Sequence, residues 1–153
     1  MMKLAEALIE RADLQKRAEH LKRRMLTNAK VQEDERPAED PKELAKELLL
    51  VMKRLTTLVK QISRTNHETP FNKEWSLGDA LIERDMTGKE REMYSELAAE
   101  ASLKQDRYSR TEIKYVTPFN VRDLQKKVDE LSKRYREVDT SIQELNWRTE
   151  LKE

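Results

Sequence analysis

The chain has 153 residues, of which 40% are charged and 5% aromatic, with Gly 2 and Pro 4; such a length suits one domain with a continuous core, and such a composition suits helices with solvated faces rather than a sheet protein. The 31 Lys and Arg balance 30 Asp and Glu to a formal net charge of +1, which excludes a whole-molecule field that would draw the protein onto nucleic acid or an anionic membrane. The absence of cysteine excludes disulfides, thiolate catalysis and sulfur-ligated metals.

Regular spacing of the apolar residues separates this chain from a disordered one of equal charge content. Leu4, Ala7, Arg11, Leu14, Ala18, Leu21 and Met25 step by three and four, which predicts a first helix over 2–28 with Arg11 inside its apolar stripe. Glu6, Glu10 and Arg11 also stand where a secretory signal needs an unbroken apolar stretch, so export by that route is not expected and a cytoplasmic location is. From Asn28 to Asp40 the periodicity stops among acids and Pro37, which reads as a loop. A second helix over 41–66 opens on Asp40 as cap, accepting from the Glu43 amide, with Pro41 in the first helical position. Its stripe is Leu44, Leu48, Val51, Leu55, Leu58 and Ile62, and a further row of Ala45, Met52 and Val59 gives it more apolar face than one neighbour would cover.

After a turn containing Pro70 and Trp75, Ser76 and Asp79 are spaced as a capping pair for a third helix over 77–103. Its stripe mixes Leu77, Ala80 and Leu81 with Arg84, Gly88 and Arg91, and a glycine costs roughly 1 kcal/mol in a helix interior, which makes Thr87 the expected place for a kink or break. The stretch 111–118 alternates and is rich in β-branched residues, so it is expected to be a short extended segment. A fourth helix over 121–150 begins at the Asn120 cap and keeps its three-four spacing through Val121, Leu124, Val128, Leu131, Tyr135, Val138, Ile142 and Leu145.

Four such helices joined by short connections predict an all-α single domain over 1–153, made of long antiparallel coiled-coil-like helices in an up-down four-helix bundle. The wide face of the second helix suits a homo-oligomer in which another copy completes the core. Counting levels along the bundle puts Arg11 near the height of Asp85 and Asp139, and Arg84 near that of Asp13; arginines in a stripe need carboxylate partners. Arg11, Arg84 and Asp85 are therefore read as a polar seam that fixes register.

His20 and His67 sit in different elements with no ligand-spaced carboxylates around them, no metal or cofactor is expected, and no serine lies in a nucleophile-elbow context. Carboxylates read as solvated or paired, as in Asp13 with Arg17 and Asp129 with Lys133, and the protein is not expected to be an enzyme. The segment Lys104 to Tyr115 interleaves cations with tyrosines, so Arg107, Tyr108, Arg110 and Lys114 are the candidates for binding RNA or another anion. The preferred reading makes that segment an ion-paired cap, neutralised by Glu33, Asp34, Glu35, Glu39 and Asp40 of the predicted neighbouring loop.

Leu4-Ala-Glu-Ala-Leu, Arg11-Ala-Asp-Leu-Gln-Lys-Arg, Asn28-Ala-Lys-Val-Gln-Glu, Gln105-Asp-Arg-Tyr-Ser-Arg and Asn146-Trp147 are the motifs by which the chain resembles a family of small bacterial helical proteins of unknown function, some of whose members carry the name septicolysin. That resemblance implies helices, and it brings no activity, cofactor or catalytic residue. Its name implies a cytolysin, whereas the sequence has neither an apolar run of membrane-spanning length nor a lipid-facing strand series. The sequence thus points to a non-catalytic, self-associating helical assembly or interaction protein. RNA or anion binding is the alternative, and cytolysis a minor one.

Overall fold

The computed structural model describes residues 1–103 and 113–153. Four helices carry the chain: α1 (Leu4–Thr27), α2 (Pro41–Glu68), α3 (Leu77–Ala101) and α4 (Val121–Arg148). Among the described residues no strand forms, only the isolated bridges Lys3 with Glu150 and Pro70 with Ser76. Within the expected extended segment, residues 113–116 are assigned to neither helix nor strand, and 111–112 lie outside the described residues.

The helix ends follow local chemistry. At the start of α1 the Lys3 amide donates to the Glu6 carboxylate at 2.9 Å. Its end is held by buried Asn28, whose side-chain amide donates to the Arg24 carbonyl at 2.8 Å while its Oδ1 accepts from the Glu39 amide at 3.1 Å, tying the last turn to the approach of α2. Asp40 caps α2 with Pro41 in the first position, but it accepts from the Lys42 amide at 2.9 Å rather than from Glu43. Asn120 caps α4, its Oδ1 accepting from the amides of Arg122 and Asp123 at 3.0 and 3.2 Å.

Contacts gather into two compact units, Met1–Gly78 with Gln143–Glu153, and Asp79–Ile142. Helices α3 and α4 each contribute to both. In the first unit α1 and α2 pack as an antiparallel pair around Leu21, Leu44 and Val51, with Leu14, Ala18, Met25 and Leu48 against them. Chain ends close its base: the Leu4 amide donates to the Thr149 carbonyl at 2.8 Å, and the Leu151 amide to that of Met2 at 2.9 Å. Fully buried Thr65 serves there as a junction, donating to the Gln61 carbonyl at 2.7 Å and accepting from the Lys152 amide at 2.9 Å.

In the second unit α3 is helical without interruption through Gly88, contrary to the kink expected at Thr87. Tyr135 of α4 supplies the reason: a Cβ built on Gly88 would lie 3.1 Å from its ring, so the glycine is there to admit an aromatic side chain and not to bend the helix. Thr87 is buried and returns its hydroxyl to the Glu83 carbonyl at 2.7 Å, which satisfies it inside the helix.

Candidate functional site

Arg84 is the charged centre of the second unit. Projecting from the polar side of the α3 stripe, it donates to Asp139 of α4 at 2.9 Å and to its neighbour Asp85 at 3.1 Å. Burial works against the guanidinium charge, and hydrogen bonds to Asp139 and Asp85 more than offset it, holding its pKa above the usual arginine value. Beside it Glu83 pairs with Arg134 at 3.8 Å, and the Lys127 ammonium lies 6.0 Å from the centre of the Tyr94 ring. As positions rise on α3 their partners fall on α4, so the pair is antiparallel. Arg11 of the same predicted seam is half-buried on α1 in the first unit and has no ion-pair partner among the described residues.

Three ion pairs run along one edge of the first unit, Glu10 with Arg54 and Arg17 with Glu47 between α1 and α2, and Arg24 of α1 with Glu39 in the approach to α2. Hydrogen bonding to Arg54 holds the Glu10 carboxyl below its ordinary pKa, and Arg24 does the same for Glu39. At the base Lys152 lowers Glu68 in the same way, at 2.8 Å. Of the within-helix pairings expected from spacing, Asp13 with Arg17 gives way to this ladder, since Arg17 turns to Glu47, whereas Asp129 with Lys133 is replaced by other pairs within α4, Lys133 approaching Glu137 at 3.9 Å and Asp129 accepting from Gln125 at 3.3 Å. Opposing carboxylates presented by another helix are preorganised, whereas i,i+4 pairs must order two mobile side chains. The ladder was not foreseen from the sequence, although its signal is present there, since the sum of the two positions in each pair is nearly constant, as an antiparallel hairpin requires.

Of the candidate anion-binding residues, Arg107, Tyr108 and Arg110 lie outside the described residues, and Lys114 is exposed. Two acids assigned to neutralise them are engaged elsewhere, Glu39 by Arg24 and Asp40 as the α2 cap. His20 and His67 are exposed, and among the described residues no group of three or more His, Cys, Asp or Glu could hold a metal ion. His20 lines a shallow trough along α1 with Lys16, Glu19 and Arg23. No helix among the described residues is long and apolar enough to cross a membrane.

What each unit does present is an uncovered apolar row at heptad spacing. On α2, Ala45, Leu49, Met52, Thr56 and Val59 alternate steps of four and three, and Leu49, Met52 and Val59 are 56%, 43% and 42% exposed. Thr56 donates its hydroxyl to the Met52 carbonyl at 2.8 Å, so the polar group of this row is satisfied within the helix. One flank of the row is the hairpin core at Leu48, Leu55 and Ile62, and the other is Lys46, Lys53 and Lys60. On α3, Ile82, Met86 and Met93 are 60%, 55% and 64% exposed, with Lys89 at the intervening position. Acids flank this second row on both sides, Glu83 and Glu90 on one and Asp85 and Glu92 on the other.

A model of a family described as "Family of unknown function (DUF6847)" matches residues 11–151. No curated protein matches the sequence. Among solved structures, the chain is similar to one described as a functionally unknown conserved protein from Corynebacterium diphtheriae, at 47% identity over 99% of each chain with a TM-score of 0.93. Neither description carries the septicolysin label that the sequence motifs suggested; both support the coarser reading of a helical protein of unknown function.

Proposed function

The chain belongs to this family of unknown function, and from its geometry we propose that it is a cytoplasmic, non-catalytic helical assembly module, which associates with further copies of itself through apolar rows that its own fold leaves open. The observation that carries this reading is the periodicity of the exposure. Single apolar residues scattered over a surface are ordinary, but rows that keep a coiled-coil step on solvent-facing sides of two helices have the form of unfilled seams.

Magnitudes set the affinity range. Covering the remaining exposed half of one such side chain is worth about 1 kcal/mol, half the value of full burial. Two copies closing both rows would cover twelve of them, about 12 kcal/mol, against an association cost of about 4–15 kcal/mol. At the lower end of that cost the balance is about 8 kcal/mol, which corresponds to a micromolar dissociation constant and sets the tight limit of the association. Sedimentation velocity from about 1 to 200 μM, spanning that range, is expected to show a concentration-dependent rise in sedimentation coefficient. A monomer throughout would overturn the proposal.

A further inference from the structure

The two rows differ in the charge beside them, and that difference names the occupant of each. We infer that the α2 row of one copy takes the α3 row of a second copy, antiparallel. This deepens the assembly reading and rests on it.

Register decides which side chains meet. Antiparallel pairing of heptad rows places the layers at Met52 opposite Met93, Thr56 opposite Lys89, and Val59 opposite Met86. The flanking positions then follow without further choice: Lys53 falls opposite Glu90 and Lys60 opposite Glu83. In this register Met52 meets Met93, Val59 meets Met86, and each of these flanking lysines faces a carboxylate; the register one heptad away, with Met52 opposite Met86, keeps the same α2–α3 charge match through Lys46 with Glu90 and Lys53 with Glu83. Lys53, Lys60, Glu90 and Glu92 have no ion pair among the described residues, while Glu83 holds Arg134 only at 3.8 Å.

Pairing α2 with a second α2 fails the same arithmetic. The antiparallel arrangement would set the row of Lys46, Lys53 and Lys60 against itself, and like charges across a seam oppose association. An α3–α3 pairing sets Glu83 and Glu90 against Glu83 and Glu90, with the same result. The heterologous α2–α3 contact is the one that satisfies both rows.

Charge exchange tests this with the full-length chain. A Lys53→Glu/Lys60→Glu variant is expected to dissociate, with its dimer dissociation constant raised at least tenfold, and so is a Glu83→Lys/Glu90→Lys variant. Mixed in equal amounts they are expected to regain the wild-type constant, because the altered α2 then meets the altered α3 and the two unaltered helices meet each other. Helicity by circular dichroism monitors folding, and Glu90→Lys alone, paired with Lys53→Glu, repeats the test with the Glu83–Arg134 contact intact. If each variant dissociates but the mixture stays monomeric, while the quadruple exchange in one chain behaves as wild type, the α2–α3 contact lies within a chain and the inference is overturned. If the variants associate like the wild type, the pairing is wrong and self-association stands on another surface. A wild-type monomer at all concentrations removes the assembly reading itself.

Discussion

Replacing Gly88 by alanine sets two effects of similar size against each other. Alanine in a helix interior is worth about 1 kcal/mol more than glycine. At this position the added Cβ would lie 3.1 Å from Cε2 and 3.4 Å from Cδ2 of Tyr135, well inside the 3.5–4.0 Å optimum for carbon pairs. Tyr135 is half-buried against α3 and must shift by a few tenths of an ångström; overpacking of this kind costs about 1–3 kcal/mol. The steric effect wins, and Gly88→Ala is expected to destabilise by about 1 kcal/mol as the balance of the two. In a Tyr135→Ala background the ring is gone, so the same substitution is expected to stabilise by about 1 kcal/mol. The coupling energy of the cycle is then about 2 kcal/mol, measured by urea unfolding followed by circular dichroism. Equal stabilisation by Gly88→Ala in both backgrounds would refute the claim that Tyr135 explains the glycine.

Other outcomes follow from the same geometry. Leu58→Ala, at a site with 0% exposure, is expected to cost about 3 kcal/mol, whereas Leu50→Ala, at 67% exposure, should change urea stability by less than about 0.5 kcal/mol. Arg84→Met should lower stability by about 1–2 kcal/mol, less than loss of a fully buried charge pair because Arg84 and Asp139 keep 21% and 35% of their side-chain surface in water. Acid should weaken the first unit: Glu10, Glu39 and Glu68 have folded-state pKa values below their ordinary values, so their contribution is present above the unfolded carboxylate pKa of about 4.3 and is lost as pH falls through the folded values. Urea midpoints measured from pH 6 down to about pH 3 should fall, with most of the drop below about pH 4.5; a flat profile would contradict the hydrogen-bonded ladder.

Helix existence was legible in the sequence because each helix carries its own stripe and punctuation. Asp40-Pro41 and Asn120 start α2 and α4 where predicted, and the row of Leu44, Val51, Leu58 and Ile62 is the buried one. Gly88 misled because propensity is local while its role is tertiary: nothing within α3 announces a tyrosine from α4. Arg84 was picked out by standing in a stripe, but its partners come from Asp139 and the adjacent Asp85, since partner choice depends on rotation about the helix axis and not on level alone. Arg11 was picked out by the same rule and has no such partner among the described residues. Charged side chains are long enough to leave a stripe position for the surface, a freedom that leucine lacks. The extra apolar face of α2 was visible from Ala45, Met52 and Val59, whereas the α3 row of Ile82, Met86 and Met93 was hidden, because the sequence reading followed only the stripe through Arg84.

Methionine oxidation measures the central claim at the residues concerned. Met52, Met86 and Met93 lie in the two rows, and Met1, 96% exposed, serves as an internal reference outside them. With limiting hydrogen peroxide and readout by mass spectrometry, oxidation of the three row methionines relative to Met1 is expected to slow as protein concentration rises through the micromolar range. Ratios that stay constant across that range would contradict the claim that another copy covers these rows.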